Sequence, residues 1–202
     1  MTATPETVEA DHTPEDYAPV LAAPAQPLVI GGQAINLWGT LYGATVPAIA
    51  ALAPFLSHDA DIIADAATVA QIATSSGWTA TNTRRSFCFA TLSQGDLKVD
   101  VLDKVDELSA AQLAECETIA RDGQNYRVLS PVRLLQVKLG LTLRPFRGRD
   151  VEQAKQLVPM AEEYLRLKYF AKKAGQFQER LWIENYDTVQ RCKGKMRKLQ
   201  VA

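Results

Sequence analysis

Apolar and polar positions change period several times along the chain, and each change marks an element. Pro5, Pro14, Pro19, Pro24 and Pro27 recur too often for a helix among residues rich in Thr, Ala, Glu and Asp, which predicts a mostly flexible leader over 1–25. The short apolar run Leu28-Val29-Ile30 then meets Gly31-Gly32 and passes into a helical pattern over 33–42, so the glycines lie near a helix start. Small apolar residues over 45–55, with Pro47 and Pro54 near the two ends, read as a short helix or a buried connector. Residues 59–63 read as a strand, because Ile62 and Ile63 are β-branched and the run is short. Ala66, Val69, Ala70 and Ala73 carry helical spacing over 65–76, closed by Gly77. Two strand-like runs, 87–92 and 97–102, are joined by Ser93-Gln94-Gly95-Asp96 and read as a hairpin, and a further short strand is expected over 126–129. Residues 130–139, 150–165 and 162–170 are helical in character. Strands early and helices late predict an α+β fold with a core over 26–129 and a helical C-terminal region over 130–202.

Composition narrows the function classes. The 202 residues, 47% hydrophobic and 22% charged, are enough for one domain with a substantial core. A net charge of −1 gives no bulk attraction to nucleic acid or membrane. Charge is unevenly spread, however: Glu6, Glu9, Asp11, Glu15 and Asp16 lie in a leader with no Lys or Arg, whereas 191–198 is a basic run that either meets nucleic acid or stays solvated. Cys88, Cys116 and Cys192 are odd in number and widely spaced, against both a disulfide framework and a zinc site, which predicts a reducing, cytoplasmic setting. No run approaches ~18 apolar residues, so no membrane partner is expected.

Candidate chemistry centres on acids placed where strands normally exclude them. In an extended strand Asp59 and Asp61 point to one face, roughly 6.5 Å apart at Cα. Asp100 interrupts the apolar run Val99-Asp100-Val101, where a neighbouring strand can bring it to the same face. Three clustered carboxylates repel one another unless cations sit between them, and hard oxygen ligands suit Mg²⁺. Gly31 and Gly32 let backbone N–H groups approach phosphate closely at a helix N-terminus, and Ser57 offers a hydroxyl donor two residues before Asp59. Taken singly, Gly-Gly is an ordinary turn, Asp-x-Asp a solvated loop and Asp100 an edge-strand acid. The ordered set points instead to metal-assisted phosphoryl transfer.

This ordered set, Gly31-Gly32, Asp59-Ala60-Asp61 and then Asp100, resembles the nucleotidyltransferase superfamily with the DNA-polymerase-β-like fold. In particular it is similar to the bacterial group related to the toxin component of abortive-infection toxin–antitoxin systems, over residues 28–157. The resemblance implies a nucleotidyltransferase-like mixed β-sheet with flanking helices and two Mg²⁺ ions held by Asp59, Asp61 and Asp100. It also implies an NTP as substrate and transfer of a nucleoside monophosphate to a hydroxyl acceptor, tRNA or protein in a toxin-like role, with an antitoxin-like partner. Lys138, in Leu134-Leu135-Gln136-Val137-Lys138-Leu139, matches the group's phosphate-contacting lysine. Arg149-Asp150-Val151-Glu152-Gln153 matches an Arg-Asp-x-x-Asp motif in which Gln153 stands where the group carries an acid. The interval between the glycines and Asp59 is longer than in compact members, with the insertion at 43–55. Two rival readings are a non-catalytic binding or regulatory module on the same fold, and a small-molecule nucleotidyltransferase of the antibiotic-modifying kind.

Other residues have two readings each. Lys138 is a phosphate ligand or a side chain snorkelling from a core helix. Asp150 is a helix-start acid favoured by the dipole, or a group that orients Lys138 or an acceptor. His58 alternates away from the carboxylates, Arg84-Arg85 form a solvated turn or reach a triphosphate, and Trp182 with Tyr186 serves packing or a partner surface.

Overall fold

The computed structural model describes residues 11–83, 88–105, 107–141, 148–170 and 179–200. The first apolar run forms β1 (Leu28–Ile30), whose three side chains are all buried near the middle of a seven-stranded mixed sheet. The other strands are β2 (Ala60–Ile63), β3 (Thr79–Asn82), β4 (Cys88–Gln94), β5 (Leu97–Leu102), β6 (Cys116–Arg121) and β7 (Gln124–Leu129), in the order β3-β4-β5-β2-β1-β7-β6. β2 runs parallel to β5 and β1 parallel to β7, while the remaining neighbours are antiparallel. The helices are α1 (Ala18–Leu21), α2 (Gly31–Gly43), α3 (Pro47–Ala50), α4 (Ala66–Ser76), α5 (Ala110–Leu113), α6 (Pro131–Leu141), α7 (Gly148–Leu165) and α8 (Glu179–Gln200). The fold is therefore the α+β class expected, with helices flanking a mixed sheet and a helical C-terminal third.

Strand alternation explains how acids enter an apolar sheet. In β5, Val99 and Val101 are fully buried while Asp100 between them faces the other way, and in β2 Ala60 and Ile62 are buried while Asp61 is not. α2 packs on β1, β2 and β7 and also meets α6 and α7, whereas α4 lies against β3 and β4 and touches α1. Asp65 caps α4 by accepting the Thr68 N–H at 2.7 Å, and Gly77 ends it with φ +71. Gly95 turns the β4–β5 hairpin with φ +58. α6, α7 and α8 pack together around Arg133, whose fully buried guanidinium donates to Glu115 and, at 3.1 Å, to both Gln136 and Glu184. These charge-assisted bonds satisfy a cation that burial alone would expel.

Several elements differ from the sequence reading. Residues 11–25, expected within a flexible leader, are fixed in place: Tyr17, Val20 and Leu21 are fully buried, and His12 bridges to Ser57. The prolines leave room there only for the single-turn α1, with Pro19 in its first turn, without preventing packing, because three apolar anchors have a core to enter. β3 was not expected, since its residues are all exposed and carry no apolar alternation; it exists by pairing with β4 at the sheet edge. β6 was also missed, because only Ile119 in it is buried. Residues 45–55 do contain a short helix, α3, whose Ile49 is buried. The basic run 191–198 lies within α8, where Lys193 pairs with Glu162 at 2.6 Å. Arg84, Arg85 and Phe87 lie outside the described residues. Among the described residues no helix is long and apolar enough to cross a membrane.

Leu21→Ala should lower unfolding free energy by about 2–5 kcal/mol in urea titrations, the usual cost of emptying a buried leucine site. A change under ~0.5 kcal/mol would mean that this segment does not contribute to the core.

Candidate active site

β-Sheet register assembles the site. Thr91 pairs with Asp100, Asp100 with Asp61, and Asp61 with Ile30, so one row crosses four strands and ends at the residue before Gly31. Cα partners in neighbouring strands project to the same face, which sets the Asp61 and Asp100 carboxylates side by side. Thr91 Oγ1 donates to Asp100 Oδ1 at 3.0 Å and fixes that side chain. Asp59 stands one residue before β2, where Ser57 Oγ donates to its Oδ1 at 3.2 Å. The sequence reading brought these three acids to one face, and all three line the same cleft.

Gly31 begins α2 in the left-handed conformation, φ +65, and a Cβ there would collide with the Asp61 carboxylate. A Cβ at Gly32 would collide with Ser57 Oγ and stand 3.2 Å from Gln153 Nε2. Both glycines are thus required by space, and Gly31 by backbone conformation as well. No side chain caps the N-terminus of α2, so its first N–H groups remain available at the cleft. Gln33, which sequence reasoning passed over, is fully buried and donates through Nε2 to His12 O, Ser57 O and Asp59 O at 3.3–3.4 Å. It therefore pins the Ser57–Asp59 loop to α2.

The cleft holds about 300 Å³ and is closed on its other side by α6 and α7. Lys138 and Asp150 face each other there at 3.0 Å, with side chains only 12% and 10% exposed. Asp150 thus orients Lys138, and Lys138 lines the cleft instead of snorkelling outward. Arg149 Nη2 donates to Leu56 O at 2.9 Å and ties α7 to the loop ahead of Ser57. Apolar lining comes from Ile30, Leu102, Val105, Leu129, Leu134 and Val137. His58, turned away from the carboxylates as alternation predicted, meets Asp11 at 3.1 Å.

The donor set suits a hard divalent ion: hydroxyl-steadied carboxylates, two of them adjacent, beside a cradle that a Cβ would fill. Among the described residues no three acidic, imidazole or thiol groups form a ready-made metal cage. Mg²⁺ typically uses one or two carboxylates and completes its shell with water and substrate phosphate, so an open set is the appropriate form. The negative field of the site reaches Tyr17, whose hydroxyl donates to His58 O at 3.1 Å. Burial first, then the charges of Asp59, Asp16 and Asp61, push the Tyr17 hydroxyl up to about 12.

Gly31→Ala should destabilise the protein more than Gly95→Ala. Both residues have positive φ, which costs roughly 1–2 kcal/mol in an alanine, but nothing lies within 4 Å of a Cβ at Gly95. Equal losses in urea titrations would show that Asp61 yields freely. Because the folded pKa of Tyr17 is raised, its contribution is fully present below the unfolded value near 10 and is lost as pH rises through about 12. Melting temperature should therefore fall above pH 10, less steeply in Tyr17→Phe, and tyrosinate absorbance should follow the same change.

No protein-family model and no curated protein sequence matches the chain. Among solved structures it is similar to an antigenic nucleotidyltransferase-like protein from Paracoccidioides brasiliensis, with 17% identity and a TM-score of 0.48 over 75% of this chain and 79% of that one.

Proposed function

We propose that the protein is a Mg²⁺-dependent nucleotidyltransferase, moving a nucleoside monophosphate from an NTP to a hydroxyl acceptor with release of pyrophosphate. The observation that carries this reading is the in-register pair Asp61 and Asp100 facing the Gly31-Gly32 start of α2. Carboxylates alone would repel a triphosphate, and backbone N–H groups alone would bind any anion. Their juxtaposition suits a substrate that arrives as a metal–polyphosphate complex.

Asp59, Asp61 and Asp100 would hold the metal, and Asp100, fixed by Thr91, would assist removal of the acceptor hydroxyl's proton. Mg²⁺ bound there supplies neutralisation of the phosphate charge and lowers the acceptor hydroxyl's pKa. The N–H groups of Gly31 and Gly32 donate to phosphate oxygens, and so does the Ser57 hydroxyl once it turns from Asp59 Oδ1. Lys138, held by Asp150, supplies a fixed positive charge to the triphosphate. The acceptors that the resemblance implies, tRNA and protein hydroxyls, are the first to screen.

Incubating the protein with radiolabelled NTPs, Mg²⁺ and cellular RNA or protein should label an acceptor. Asp61→Asn and Asp100→Asn should each reduce labelling at least about a hundredfold. Their melting temperatures should equal or exceed wild type, because each substitution relieves carboxylate repulsion in the metal-free protein. Full transfer by either variant would sink the assignment.

A further inference from the structure

We propose that Gln153 is a direct ligand of the triphosphate, its side-chain amide donating to a phosphate oxygen over the N-terminus of α2. The inference rests on the nucleotidyltransferase reading for the identity of the substrate, but it stands on separate geometry. Gln153 is 6% exposed and lines the cleft, one helical turn beyond Arg149 and next to the Asp150 turn of α7. Among the described residues its amide has no hydrogen-bond partner, although neighbouring polar groups do. Lys138 is engaged with Asp150, Ser57 Oγ with Asp59, and Arg149 with Leu56 O. An amide on a largely buried side chain at the cleft wall, unbonded to protein, is a donor that a bound anion would engage.

The direction of the amide identifies that anion's place. Gln153 Nε2 and Ser57 Oγ both crowd the point where Gly32 would carry a Cβ, above the uncapped first turn of a 13-residue helix. Main-chain N–H groups and an amide then converge as neutral donors, beside a Ser57 hydroxyl whose hydrogen goes to Asp59. An acid at position 153 would add a further negative charge to a cleft already lined by Asp59, Asp61, Asp100, Glu107 and Asp150. Glutamine offers similar reach with a donor and no charge, so the residue that departs from the acidic motif favours the polyphosphate end of the substrate. The ligand class is a nucleoside triphosphate or inorganic polyphosphate, gripped by its phosphates independently of its base.

The test is calorimetric titration of inorganic tripolyphosphate and of each NTP, with Mg²⁺, into wild type, Gln153→Glu and Gln153→Leu. Tripolyphosphate affinity should fall about tenfold or more in Gln153→Glu and several-fold in Gln153→Leu. Gln153→Leu keeps the volume and apolar packing of α7, so it carries the measurement if the acid perturbs folding; melting curves establish that. Unchanged tripolyphosphate affinity in the folded variants would overturn the proposal, as would NTP binding that weakens while tripolyphosphate binding does not. Failure of wild type to bind tripolyphosphate would overturn it too. Radiolabel transfer separates the two readings: weakened polyphosphate binding without transfer from any NTP leaves Gln153 as an anion ligand and removes the transferase. Normal transfer with unchanged affinities does the reverse.

Discussion

Everything at the cleft depends on one register: Ile30 opposite Asp61, Asp61 opposite Asp100, Asp100 opposite Thr91. A slip of one residue in β2 would turn Asp61 into the core among Val99 and Val101 and expose Ile62. The cost of burying an unpaired carboxylate is far larger than that of any single surface contact, so the acids themselves help select the pairing. The same register puts Ile30 at the end of its strand, and the left-handed Gly31 then swings α2 away with its first turn over Asp61. Chain direction, acid placement and the cleft-facing helix end are consequences of a single alignment.

Around that row the supports are long-range in sequence and short in space. Gln33 holds the Ser57–Asp59 loop from α2, Arg149 holds the preceding Leu56 carbonyl from α7, and Asp150 holds Lys138 across the α6–α7 contact. Gln156 on α7 also donates to Leu52 O at 3.0 Å. The connector between α2 and β2 is thus gripped from two helices, which lets a long connector coexist with a defined cleft. Arg133 performs an equivalent service for the C-terminal helices through Glu115 and Glu184.

The acids were legible in the sequence because a carboxylate between Val99 and Val101 conflicts with the local apolar pattern, and such conflicts concentrate at functional sites. Gly31-Gly32 was legible from its place between a strand and a helix. β3 and β6 were not, since edge strands with exposed or singly buried residues leave no periodic trace. Packing of residues 11–25 was hidden by prolines that dominate composition, while the three apolar anchors, though helically spaced at 17, 20 and 21, span a single turn too short to stand out. Gln33 and Arg133 were hidden for a different reason: a polar residue at a buried position looks like any surface residue until its partners, distant in sequence, are in place. Gln153 was visible only as a departure from a motif, and the fold supplies its surroundings.

α7 closes the cleft more than a hundred residues after Gly31 opens it. Chain emerging from the ribosome without α7 has the acids and the glycines but lacks Lys138's counter-ion and the roof, leaving a half-site with a net negative charge. The cleft is consequently complete only once α7 docks, so a chain that stops before Gly148 presents an open row of acids instead of an enclosed cavity.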